Sequence, residues 1–154
     1  MLPHHVLRCF FCLMIRRPPR STLDRSSAAS DVYKRQVKVS VETFFQHNYS
    51  KNGEFVFAYR VTIENKSENT VQLLRRHWHI YDGMGIWREV EGEGVVGETP
   101  VIVPGAFHQY VSGCNLIAPM GKMKGTYLMI KKLDGKHFDV VIPEFQMIAP
   151  FILN

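Results

Sequence analysis

Cysteine is scarce in this chain, and so are long apolar runs, helical repeats and, over most of its length, any excess of charge. Its three cysteines fall as Cys9 and Cys12, in one C-x-x-C, and Cys114 alone. One such pair supplies half of a tetrahedral zinc set, and no second pair follows. The odd thiol argues against a disulfide framework and for a reducing, cytoplasmic setting. The most apolar stretch, residues 6–15, is interrupted by Arg8 and falls far short of the roughly 20 residues of a membrane span, so no membrane partner is expected. No window of a dozen residues repeats at 3.6, which leaves little room for helices.

The net charge of +5 belongs to the beginning of the chain. Residues 1–36 hold seven cations against two anions, and residues 37–154 hold twelve of each. A nucleic-acid binder concentrates cations on its folded surface to displace counterions from phosphates, so the neutral body is not expected to bind nucleic acid. The first 36 residues also have the wrong order for a signal peptide, because Arg16-Arg17-Pro18-Pro19-Arg20 follows the apolar stretch instead of preceding it. The runs Leu13-Met14-Ile15-Arg16-Arg17-Pro18-Pro19-Arg20-Ser21-Thr22-Leu23 and Ser30-Asp31-Val32-Tyr33-Lys34-Arg35-Gln36 resemble translated sequencing-adaptor text. The expectation is a disordered, non-native leader over 1–36, with the native start lost, and a folded domain over 37–154.

What is present in 37–154 is alternation at period two, the signature of half-buried strands. Val37, Val39 and Val41 share one face. After the turn-forming Lys51-Asn52-Gly53, Phe55, Phe57, Tyr59, Val61 and Ile63 face one way, and Arg60, Thr62 and Glu64 the other. Residues 65–69 read as a polar loop. Residues 71–81 read as a strand with Leu74, Trp78 and Ile80 on its apolar face, ended by Gly83 and Gly85. Further strands are predicted at 87–91, 101–103, 107–114, 125–132 and 137–142, the last two flanking the hairpin signal Asp134-Gly135. Short strands at this spacing predict an all-β, antiparallel two-sheet sandwich, immunoglobulin or fibronectin type III-like, without the Cys…Trp…Cys pattern of antibody domains.

Three segments could carry chemistry. Gly92-Glu93-Gly94-Val95-Val96-Gly97 has the spacing of a dinucleotide fingerprint, but Thr99-Pro100-Val101-Ile102-Val103-Pro104 returns to extended chain where a helix should begin. It reads first as a tight, bulged inter-strand connection. As a nest of backbone N–H groups it could hold a phosphate, against the repulsion of Glu89, Glu91, Glu93 and Glu98. Arg75-Arg76-His77-Trp78-His79 puts Arg75, His77 and His79 on one face of a strand. The two histidines are metal-ligand candidates that lack a third donor in the local sequence; an exposed cationic stripe is the plainer reading. Cys114, in Ser112-Gly113-Cys114-Asn115, matches no nucleophile signature and reads as a buried structural thiol. No G-x-S-x-G, H-E-x-x-H or Walker loop is present, so no catalytic residue is expected.

Taken together, Val71-Gln72-Leu73-Leu74 running into Arg76-His77-Trp78, the glycine segment through Glu98 and Pro100, Pro104-Gly105, Tyr110-Val111-Ser112-Gly113, Gly121-Lys122-Met123-Lys124-Gly125-Thr126-Tyr127 and Ile142-Pro143-Glu144-Phe145 resemble the bacterial ApaG family over 37–154. The position after Trp78 is apolar in that pattern and is His79 here, so a family-wide role would not depend on it. The resemblance implies a fibronectin type III-like sandwich without an attached catalytic activity, associated with cobalt and magnesium resistance. It implies protein interaction, as in the similar domains of F-box proteins. It also implies a nucleotide or pyrophosphate ligand for the glycine segment.

The expected function is therefore a non-enzymatic module that binds another protein and is linked to divalent-cation homeostasis. The alternative is a sensor that takes a nucleotide or pyrophosphate, with a divalent cation, through Gly92, Gly94 and Gly97 with Arg75 or Arg76. No other cofactor is expected. An edge strand without protective charge would favour a homodimer.

Overall fold

Period-two alternation gives each strand a buried and a wet face, and pairing such faces into two layers is what the described residues, 36–153 of the computed structural model, do. The leader expectation falls on residues that lie outside that range. The strands are β1 (Val37–Phe45), β2 (Phe55–Asn65), β3 (Val71–Asp82), β4 (Ile86–Glu93), β5 (Val101–Ile102), β6 (Phe107–Leu116), β7 (Met120–Lys131) and β8 (His137–Ile148), followed by a 3₁₀ turn at Pro150–Ile152. One sheet has the order β1-β2-β6; the other has β4-β3-β7-β8, with β5 pairing β3. All named pairings are antiparallel. The expected sandwich is the fold. No helix among the described residues is long and apolar enough to cross a membrane.

The core lies between the sheets and is aromatic at its centre. Trp78 and Tyr59 meet edge-on at 5.7 Å between ring centroids, and Phe145 completes the cluster at 5.9 Å from Trp78. Around it Phe57, Val61, Ile63, Leu73, Met123, Tyr127, Met129 and Ile142 are almost fully buried. The β2 alternation is as expected, with Phe57, Tyr59, Val61 and Ile63 inward.

Several details differ from the sequence reading. Asn65 ends β2 instead of opening a loop. Its buried amide donates to the carbonyls of Asn69 and Ile102, both at 2.9 Å, and its Oδ1 accepts from the Ser67 amide, so it organises the turn that follows. On β3 the buried residue is Leu73, not Leu74. The β3–β7 register passes from Leu73↔Met129 to Arg75↔Leu128, which leaves Leu74 as the extra residue of a β-bulge and resets the parity of the strand. β7 begins at Met120, five residues earlier than expected. β8 runs through Pro143 to Ile148, because Pro143 and Glu144 lie opposite the single residue Lys124 in a second bulge, where a missing N–H breaks no ladder bond.

Candidate functional site

The glycine segment is built as a closed hairpin. Val95 and Glu98 pair around a two-residue turn in which Val96 has φ 50° and Gly97 φ 79°, the left-handed pair of a type I′ turn. Val95 donates its amide to the Glu98 carbonyl at 2.8 Å, and Glu98 returns the bond at 3.0 Å. The amide of Gly94 donates to the carbonyl of Leu74, the bulged residue of β3, at 2.8 Å. Val95 is buried, so the hairpin is pinned to the core by its own side chain. Gly94 sits at φ +58°, and a Cβ there would lie 2.2 Å from the Glu98 carbonyl oxygen. Gly92 is needed for space: a Cβ there would meet the Arg76 guanidinium at 2.9 Å.

Alternation puts Arg75 and Arg76 on opposite faces, and the bulge at Leu74 sets which of them turns inward. Arg76 shares the inner face with Trp78, and its Nη1 donates to the carbonyls of Glu93 at 2.9 Å and Gly94 at 2.8 Å. Of the two arginines, then, Arg76 holds the hairpin in place. Arg75 is exposed on the outer face, across from Glu93. Beside it lies a depression of about 180 Å³ whose lining includes Thr126, Leu128, Glu91 and Asp139. That volume is below the roughly 300 Å³ at which small-molecule pockets begin.

Beneath Arg76 is a buried set of phenols. The hydroxyls of Tyr110 and Tyr127 are 2.5 Å apart, and Tyr59 is the third member. Burial away from water pushes all three hydroxyls above their ordinary value, with the charge of Arg76 acting weakly in the opposite sense. Cys114 is buried as expected, and burial raises its thiol despite a contact with Arg88. Arg88 reaches from β4 across the open side of the sandwich to the Cys114 sulfur at 3.3 Å and to the Asn115 carbonyl.

On the outer face of β3, alternation brings His77 and His79 side by side, with ring centroids 4.3 Å apart. The β3–β4 register sets Glu89 across from His79 and Glu91 across from His77. Glu89 bridges the pair: Oε2 is 3.1 Å from His77 Nε2, and Oε1 is 3.4 Å from His79 Nδ1. The hydrogen bond from His77 is the main reason the Glu89 carboxyl lies below the usual carboxylate range. Sequence reading had the two histidines but missed Glu89, because only the hairpin register, set by a turn at residues 83–85, brings it to them.

β4 is also an edge strand: among the described residues its one strand partner is β3. Met84 in the preceding turn and Ile86, Trp87 and Val90 on the strand are all exposed, Trp87 at 56%. Trp87 packs against Tyr81 with ring centroids 4.9 Å apart and the rings tilted by 48°.

The model of the ApaG domain matches residues 46–131. The chain is similar to Protein ApaG of Paramagnetospirillum magneticum, with 49% identity over 118 residues, 75% of this chain and 90% of that protein. It is likewise 47% identical to Protein ApaG of Pseudomonas aeruginosa over 121 residues, 77% and 95% of the two chains. Among solved structures, the ApaA protein of Bordetella pertussis superposes with a TM-score of 0.72 at 40% identity, over 74% of this chain and 94% of that one.

Proposed function

The chain belongs to the ApaG family, and from that premise we propose that it is a non-enzymatic, cytoplasmic binding module that engages another protein through the free edge of β4 and serves divalent-cation homeostasis. The observation that carries this reading is the exposed apolar set Ile86, Trp87 and Val90 on a strand that pairs on one side among the described residues. Monomeric sheets ordinarily shield such edges with charged side chains, bulges or prolines, and β4 keeps large apolar side chains exposed among its charges. Ile86, Arg88 and Val90 lie on the side of Asp82, Ile80 and Trp78, whereas Trp87, Glu89, Glu91 and Glu93 lie on the other, so the first row is mainly apolar and the second mainly acidic. A partner strand added to this edge would place apolar residues beside the first row and cations beside the second. The fitting partner is an extended segment that alternates apolar residues with Lys or Arg. The buried, unpaired thiol of Cys114 supports a reducing compartment.

The alternative, a nucleotide or pyrophosphate sensor, would use Gly92, Gly94, Gly97 and Arg75 with a divalent cation. It competes with the main-chain bonds that already engage Gly94, Val95 and Glu98, and with the carboxylates of Glu91 and Glu93 beside Arg75.

Site-specific photo-cross-linking separates the readings. A photoreactive residue at Val90 in living cells is expected to give a discrete adduct with a second protein species, and one at exposed Val141 on β8 is not. An adduct at twice the chain mass would identify a second copy, a homodimer, as the occupant. Equal yields from both positions, or none from Val90, would refute the edge-binding reading. Calorimetry with pyrophosphate and ATP, each with and without magnesium, tests the alternative directly.

A further inference from the structure

The outer face of β3 and β4 holds donors that binding at the β4 edge does not use. One ligand atom each from His77, His79 and Glu89 lies within 4.8 Å of the other two. A tetrahedral ion with bonds of about 2.0–2.1 Å to imidazole nitrogen and carboxylate oxygen separates its donors by about 3.3 Å. His77 Nε2 stands 3.1 Å from Glu89 Oε2 and His79 Nδ1 3.4 Å from Glu89 Oε1, so each imidazole has one oxygen of the same carboxylate at about that length. Glu91 Oε1 lies 3.5 Å from His77 Nε2, beside the three-residue cluster.

From this arrangement we infer that His77, His79 and Glu89 bind one divalent transition-metal ion, with water in the fourth position. The donor set names the class of ion. Two imidazoles and a carboxylate suit zinc, cobalt or nickel, whereas magnesium prefers an all-oxygen octahedral shell. Glu89 and Glu91 lie directly across from the two histidines, whereas the cations of this face, Lys124 across from His79 and Arg75 two residues before His77, flank them. The scaffold is preorganised: β3 is paired on both sides, so the ladder fixes the Cα positions of all three ligands before any ion arrives. Both imidazoles are half-buried and remain open to solvent on their outer side, which gives the ion a path in. The inference stands apart from the partner reading, since metal binding could fail while cross-linking at Val90 succeeds.

The test is calorimetric titration of the full chain with zinc and, separately, cobalt as the simple salts. The chain carries Cys9→Ser, Cys12→Ser, His4→Ala and His5→Ala, so that donors ahead of residue 36 add no second site. One ion per chain at micromolar or tighter affinity is expected, with no heat from magnesium. His79→Leu and Glu89→Gln should each weaken binding by about tenfold or more, while chemical denaturation shows both variants folded. If His79→Leu fails to fold, His79→Gln replaces it. No saturable binding in the parent, or a loss smaller than tenfold in either variant, overturns the site.

Discussion

Gly92, Gly94 and Gly97 have the spacing of a phosphate-binding loop, and each has a separate local reason to be glycine. Gly97 takes the second left-handed position of the Val96–Gly97 turn. Gly94 lets its backbone pass the Glu98 carbonyl, and Gly92 leaves room for a guanidinium. The three should therefore respond differently to substitution. Gly94→Val adds a β-branched side chain at φ +58° against backbone that cannot move aside, and should cost about 3 kcal/mol of stability. Gly92→Ala meets only the far end of a flexible arginine and should cost about 1 kcal/mol. Urea denaturation of both variants ranks them; equal midpoints would mean that the hairpin does not anchor the fold.

The buried tyrosines make a second prediction at this scale. Their hydroxyls are held protonated in the fold, whereas in the unfolded chain they ionise near pH 10.0. Below that pH both states bind the proton and stability is unaffected. Above it only the folded state does, so stability falls as pH rises. Each tyrosine adds a slope of about 1.4 kcal/mol per pH unit until its raised folded-state value is reached. Denaturant midpoints between pH 9 and 11 should show the decline, and Tyr127→Phe should make it shallower.

Among the elements, β2 was legible in the sequence and β3 was legible only in part. Phe57, Tyr59, Val61 and Ile63 of β2 alternate without interruption, so their pattern predicts their burial. On β3 the same rule assigns Leu74 to the core, because a bulge leaves no mark in a run such as Leu73-Leu74-Arg75-Arg76. A bulge is a property of two strands, and the partner that defines this one, β7, lies some fifty residues further along. The candidate metal site has the same history. His77 and His79 stand out in the sequence as a pair on one face, but their third ligand depends on which residue of β4 the register sets opposite. The reassigned parity can be checked by truncation. Leu73 is fully buried and Leu74 only half, so Leu73→Ala should cost about 3 kcal/mol and Leu74→Ala about 1. The reverse order would restore the alternation that the sequence suggests and remove the bulge.

For the whole molecule, charge and core are distributed differently along the chain. Among the described residues the buried cluster, whose apolar surface opposes conformational entropy, runs from Val37 to Ala149. The excess of five positive charges lies before it. Stability and electrostatic retention should consequently be separable by one truncation. A chain beginning at Val37 should unfold at the same urea midpoint and with the same m-value as the full chain, because m tracks the surface exposed on unfolding and the described core is unchanged. Any salt-sensitive retention of the full chain on heparin or DNA should disappear in the truncated form, whose formal charge is zero, since counterion release needs cations to replace the counterions. A lowered midpoint would show that the first 36 residues pack against the sandwich. Retention that survives truncation would mean that Arg75 and its lysine neighbours on the outer face act as a cationic surface despite the balancing carboxylates, and would reopen an anionic ligand for that face.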